Sequence, residues 1–116
     1  MAITQQNVGG YVVLSPQGRL AMGGAAEEFE ERAEDLIAEG FIHLVADLRA
    51  VPHLDSWGIR ALMRAYTSTL RFGGTFRLVQ PNATIRKVLE VTKLTGVLPI
   101  YESVEAATQP PVHRPG

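Results

Sequence analysis

A chain of 116 residues with a formal charge of −1, 46% apolar and 20% charged, has the make-up of one globular domain. Folding at this size removes roughly 65% of the unfolded chain's surface from water, enough for a core without staples. The absence of cysteine excludes disulfides, thiolate catalysis and thiolate metal sites, and no cluster of Lys or Arg supplies a nucleic-acid footprint.

The amino-terminal MAITQQNVGG has neither a basic start nor an apolar h-region. No apolar run approaches the ~20 residues of a membrane span, so a cytoplasmic setting is expected. Residues 11–15, YVVLS, are β-branched and aromatic and read as a strand. SPQG follows with turn chemistry, Pro16 pre-set for the first central position and Gly18 closing it. RLAM then reads as a short second strand, giving an N-terminal hairpin. In GGAAEEFEERAEDLIAEG, Phe29, Ala33, Leu36 and Ile37 recur at helical spacing, early acids suit the helix dipole and Gly40 suits the stop.

FIHLVADL is nearly continuous in apolar residues, as a strand of a parallel sheet buried on both faces would be. A second helix is predicted from about Ser56 to Phe72, with Ile59, Leu62, Met63, Tyr66 and Leu70 on its inner stripe and Gly73-Gly74 as its stop. TFRLVQ is a further strand. PNATIRKVLEVTKLTG gives a third helix with Ile85, Val88, Leu89 and Thr92 facing inward, VLPIY a short last strand, and SVEAAT a final helical turn. The alternation predicts one α/β domain over residues 1–107, a mixed but mostly parallel sheet with an N-terminal hairpin and about four helices. The Pro-rich remainder, 108–116, is expected to carry no fold.

In open α/β sheets, binding surfaces gather at the carboxyl ends of the strands. Here that edge comprises AMGG, RAVPHLDSWG and QPN, of which the second is the longest. Asp55 or Ser56 is placed to cap the second helix, its side-chain oxygen accepting from a free backbone N–H. A helix N-terminus also tolerates a phosphate, so Ser56 is equally a candidate for reversible phosphorylation. The two roles are compatible.

Four segments carry a family resemblance: GRLAMGGAAEEFE; HLVADLRAVPHLDSWGIRALMRAY; GGTFRLVQPNATIRKVLEVTKLTGVLPIYES; and VEAA. Over roughly residues 8–107 the chain resembles a STAS domain of the anti-sigma factor antagonist type. Its most specific mark is an Asp-Leu strand end followed seven residues later by Asp-Ser-x-Gly. The resemblance implies a non-enzymatic protein that binds an anti-sigma factor. That partner is also a serine kinase using ATP, and a separate phosphatase reverses the modification. Ser56 then stands as the phosphoacceptor, with Asp55 its neighbour and Gly58 the small residue of the first helical turn. The edge formed by Ala21, Met22, Gly23, Gly24, Asp55, Trp57, Gly58, Arg60 and Arg64 would contact the partner.

Two positions depart from the family pattern. Trp57 replaces a small residue; it could anchor a partner, narrow access to Ser56, or pack over the sheet edge, the commonest fate of a tryptophan. Ala21 stands where an acidic residue often does. These departures motivate an alternative: a STAS module that binds a small molecule, or an accessory subunit of a transport or stress-sensing assembly, without phosphoryl control.

Other chemistry finds little support. His43, His53 and His113 lack ligand spacing, and His43 reads as a satisfied strand histidine, so no metal or cofactor is expected. LDSWGI lacks the first glycine of a nucleophile elbow. The glycine pairs at 9–10, 23–24 and 73–74 lack the spacing of phosphate loops. Arg60 and Arg64, one turn apart, read as a solvated face adjoining the proposed docking surface.

Overall fold

The computed structural model describes residues 2–109, which form a single five-stranded sheet in the order β1-β2-β3-β4-β5. The strands are β1 (Ala2–Val8), β2 (Tyr11–Gln17), β3 (His43–Asp47), β4 (Thr75–Val79) and β5 (Ile100–Tyr101). Helices α1 (Ala25–Ala38), α2 (Ser56–Arg71), α3 (Ala83–Val91) and α4 (Val104–Ala107) alternate with them after the first pair, and a 3₁₀ turn spans Leu94–Gly96. β1 and β2 are antiparallel; every later pairing is parallel. The expected fold class is therefore the observed one.

The hairpin, however, is not where the sequence placed it. Its strands are β1 and β2, joined by Gly9 and Gly10 at φ of 54° and 91°. Two successive left-handed residues make the tight turn whose twist matches paired strands, a geometry only glycine adopts without strain. Ser15, Pro16 and Gln17 continue β2 rather than turning, because they still pair with Thr4, Ile3 and Ala2 of β1, whereas β3 pairs with β2 only across Val12–Leu14. Pro16 lies beyond that pairing, where the N–H it lacks is not called on. RLAM makes no strand; Leu20 alone forms a parallel bridge, to Leu54.

Side chains on the strands alternate between two cores, as the pleat requires. Ile3, Val12, Leu14, Leu44, Ala46, Phe76 and Leu78 face α1, α2 and α3 in the larger one. Tyr11, Val13, Val45 and Val79 face the opposite side with Ala107 of α4. Phe29, Ala33, Leu36 and Ile37 of α1 are all buried, as their spacing predicted.

The buried face of α2 is rotated from the expected stripe. Gly58, Ala61, Leu62, Ala65 and Thr69 are buried, Ile59, Met63 and Tyr66 only half-buried, and Leu70 is 48% exposed. Small residues let the helix axis approach its neighbours, so close packing outweighed the larger side chains in setting the rotation. In α3, Ile85 and Leu89 are buried, but Val88 is half-buried and Thr92 exposed. The Thr92 hydroxyl donates to the Val88 carbonyl at 2.8 Å, which satisfies it without a core.

The folded body also extends past residue 107. Thr108 Oγ1 donates to the Val104 carbonyl at 2.8 Å, and the Gln109 carbonyl accepts from Arg77 Nη1 at 2.9 Å. The rest of the predicted tail, 110–116 with His113, lies outside the described residues. Among the described residues no helix is long and apolar enough to cross a membrane.

Candidate functional site

At the carboxyl edge of the sheet two loops run side by side. The Gly18 N–H donates to the Ala50 carbonyl and the Leu20 N–H to the His53 carbonyl, each at 3.1 Å. This pairing brings AMGG, from the β2–α1 connection, against the LDSWG start of α2.

Asp55 joins the two. Its Oδ1 accepts from the backbone N–H groups of Trp57 (2.9 Å) and Gly58 (3.0 Å), the free donors of the first turn of α2. Its Oδ2 accepts from the Met22 N–H at 3.0 Å, across 33 positions of sequence. Between the two candidate caps the structure thus chooses Asp55, whose backbone is extended as the role requires. The Met22 N–H first, with those of Gly58 and Trp57 and the nearby His53, holds the Asp55 carboxyl below the ordinary carboxylate range against the opposing effect of burial.

Ser56 is consequently the first helical residue and not the cap. It is exposed, and among the described residues its hydroxyl makes no hydrogen bond. Two apolar residues of the same edge are also exposed: Met22 (66%), whose N–H is bound to Asp55, and Trp57 (41%), the next residue of the helix. The packing expectation for Trp57 is corrected here. At the first turn of α2 it keeps two-fifths of its surface in solvent, and the Arg60 guanidinium carbon lies 5.4 Å from the centre of its ring.

The remaining predicted contact residues divide. Gly23 and Gly24 are exposed on the same edge, and Ala21 is half-buried, its carbonyl accepting from the Ala26 N–H at 3.1 Å. Gly58 does not reach the surface. A β-carbon there would stand 2.1 Å from the Leu20 carbonyl oxygen and 2.5 Å from Leu54 Cδ1, so the glycine seats α2 on the neighbouring loop. Arg64 Nε lies 3.1 Å from Glu30 Oε1 of α1, which leaves Arg60 as the arginine turned toward the edge. His43 is satisfied within the fold, its Nδ1 lying 3.0 Å from Thr75 Oγ1.

Sequence reading missed the residues that brace the edge from below. Asp47, buried at the end of β3, accepts from Arg49 Nε (2.9 Å) and Nη2 (2.8 Å) and from the Arg49 N–H (3.1 Å). Burial opposes its charge, but the Arg49 contacts prevail and hold its carboxyl low. Asn82 caps α3 by accepting from the Ile85 N–H at 2.8 Å, and its amide donates to the Pro52 carbonyl at 3.2 Å. An Asp two residues before an Arg, and an Asn opening a helix, were the available signals.

These contacts carry a prediction for acid. Asp55 and Asp47 both have folded pKa values below their unfolded ones. Their stabilisation is complete above the unfolded carboxylate pKa of about 3.9 and is lost as pH falls through the folded values. Asp55→Ala is expected to cost about 1–2 kcal/mol at neutral pH and to make stability less dependent on pH in the acid range. Urea unfolding of both proteins between pH 3 and pH 7 checks this; parallel curves would show that the carboxylate is not the linked group.

Comparison with known proteins now places the chain. The model of the STAS domain matches residues 2–107. A Thermotoga neapolitana protein provisionally named an anti-sigma factor antagonist is 26% identical over 98 residues, spanning 84% of this chain and 87% of that protein. The crystal structure of a Thermotoga maritima protein with the same provisional name superposes with a TM-score of 0.86 at 26% identity, covering 90% of each chain. The unphosphorylated form of the anti-sigma factor antagonist SpoIIAA shares the fold, with a TM-score of 0.73 at 20% identity over 90% of this chain and 92% of that one. With a family model matched across nearly its whole length, and the sheet and helices in agreement, the chain belongs to the STAS domain family.

Proposed function

We propose that this protein is an anti-sigma factor antagonist that docks on an anti-sigma factor with serine kinase activity and is released when Ser56 is phosphorylated. The observation that carries the reading is the division of labour at the head of α2. Asp55 does the capping, so Ser56 is exposed and its hydroxyl has no hydrogen-bond partner among the described residues, on an edge that also exposes the apolar Met22 and Trp57. The names of the Thermotoga relatives support the anti-sigma factor antagonist part of this reading.

The chemistry follows from the position. Transfer forms a bond from the Ser56 oxygen to the γ-phosphorus of ATP and breaks the bond from that phosphorus to the bridging oxygen of the departing ADP. The hydroxyl proton passes to a base of the kinase or to water. The ester adds about −1.5 to −2 charges at neutral pH. At the mouth of a helix that charge faces partial positive charge and does not melt the scaffold. Within a desolvated interface it is costly, because it either loses its water or holds the surfaces apart. A protein phosphatase that hydrolyses the ester would restore docking.

Mass spectrometry after incubation with the cognate kinase and ATP tests the acceptor, and a phosphate found only elsewhere would refute it. Ser56→Ala is expected to keep partner affinity within about threefold, since it removes an exposed hydroxyl with no hydrogen bond among the described residues. Ser56→Asp should weaken binding at least tenfold, in line with the 2–5 kcal/mol range for an unpaired charge at an interface. Isothermal calorimetry with the partner reads both, and indifference to both changes would favour a module without phosphoryl control.

A further inference from the structure

We propose that Arg60 is a built-in receptor for the phosphate on Ser56, and that capturing it draws the guanidinium off Trp57 and so reshapes the docking edge as well as recharging it. The inference rests on the assignment of Ser56 as acceptor and concerns what the protein does once modified.

Ser56 and Arg60 are four residues apart on α2, which sets them on one face a turn from each other. Both are exposed. In the unmodified protein the Arg60 guanidinium is turned toward the Trp57 ring, 5.4 Å from its centre. The other charges nearby are already committed. Asp55 spends both carboxylate oxygens on three backbone N–H groups, and Arg64 lies against Glu30. His53 precedes the cap and acts on Asp55. Among the described residues Arg60 has no carboxylate partner, so no ion pair must break for it to move.

The competition is uneven. An exposed cation–π contact is among the weaker attractions available to arginine. A phosphate offers a bidentate, charge-assisted pair that matches the guanidinium fork, and the i, i+4 spacing puts it within reach without moving the backbone. Capture would leave the indole uncovered on the edge. The two states therefore differ in shape: an indole flanked by a cation before phosphorylation, and a phosphate–arginine pair beside a bare indole after it. A partner surface fitted to the first loses both the cation and the contour in the second.

The test does not depend on any kinase. Phosphoserine is installed at position 56 by genetic encoding in the otherwise intact protein and in Arg60→Gln, and the second ionisation of the ester is followed by ³¹P NMR. With Arg60 present the second pKa should lie about half a unit below that in Arg60→Gln, the size expected of an exposed ion pair. Trp57 is the only tryptophan, so its fluorescence reads the other half of the exchange. Phosphorylation should change its emission and raise its acrylamide quenching when Arg60 is present, and should do neither in Arg60→Gln. Equal pKa values in the two proteins, or a tryptophan signal blind to the phosphate, would overturn the proposal. If the phosphoprotein releases its partner while Arg60→Gln titrates identically, the role of Arg60 falls and the switch stands. If Arg60 shifts the titration while the partner binds both forms alike, the switch falls instead.

Discussion

Gly58→Ala is expected to lower stability by about 2–3 kcal/mol, the overpacking range, and to depress the melting temperature by roughly 10 °C for a domain of this size. Helix propensity alone predicts the opposite sign, since alanine in a helix interior gains about 1 kcal/mol over glycine. Close approach decides. The added methyl would stand 2.1 Å from the Leu20 carbonyl oxygen and 2.5 Å from Leu54 Cδ1. Leu54 can rotate away; the Leu20 backbone cannot yield without disturbing its bond from the Leu20 N–H to the His53 carbonyl. The same displacement would pull Met22 from Asp55 and spread the two loops that form the edge. Thermal unfolding measures the first effect, and partner affinity should fall with it. A stabilised Gly58→Ala protein would mean that α2 does not sit on Leu20.

Arg77→Ala is expected to cost about 3 kcal/mol, with the loss concentrated at the C-terminal end of the domain. Arg77 is 8% exposed and lies in β4 on the face that α4 covers. Its Nη1 donates to the carbonyls of Ala107 and Gln109, each at 2.9 Å, and to the Tyr11 hydroxyl at 3.1 Å. The guanidinium carbon also lies 5.1 Å from the centre of the Tyr11 ring and 5.2 Å from that of Tyr101. Truncation removes the donor, strands the buried Ala107 carbonyl and opens a cavity between two aromatic rings, each a loss of about 1–3 kcal/mol when buried. Tyr11 Oη still donates to the Gln109 carbonyl at 2.9 Å, which limits the damage. Hydrogen exchange should show residues 104–109 deprotected while α1 and β3 keep most of their protection. Arg77→Lys should recover part of the loss, because an ammonium can still donate to a carbonyl but lacks the planar guanidinium that lies against the Tyr11 and Tyr101 rings. Unchanged protection of α4 in Arg77→Ala would show that Val104 and Ala107 hold it by packing alone.

What was readable in advance followed from local chemistry. Phe29, Ala33, Leu36 and Ile37 have one period and one buried face, so α1 was legible from spacing. The continuous apolar run of β3 announced a strand covered on both sides, and Asp55-Ser56 before an amphipathic stretch announced a helix start. The resemblance carried by Asp-Ser-x-Gly named the family, which the match over residues 2–107 bears out. The hairpin was misplaced because β1 is an edge strand whose residues 4–7 are all exposed and polar. An edge strand needs little apolar patterning to pair, so TQQN gave no strand signal, while Pro16 gave a false one for a turn.

The sequence by itself determined the α/β alternation, the start of α2 and the candidacy of Ser56, because periodicity and capping are properties of a few neighbouring residues. Only the tertiary structure decided which residue caps and which is free, because Asp55 is held in place by the Met22 N–H, a contact 33 positions away. It likewise left Trp57 partly exposed beside Arg60 and buried Arg77 under α4. A side chain's exposure depends on the rotation of its helix and on what packs against it, and both are set by distant parts of the chain that no local pattern encodes.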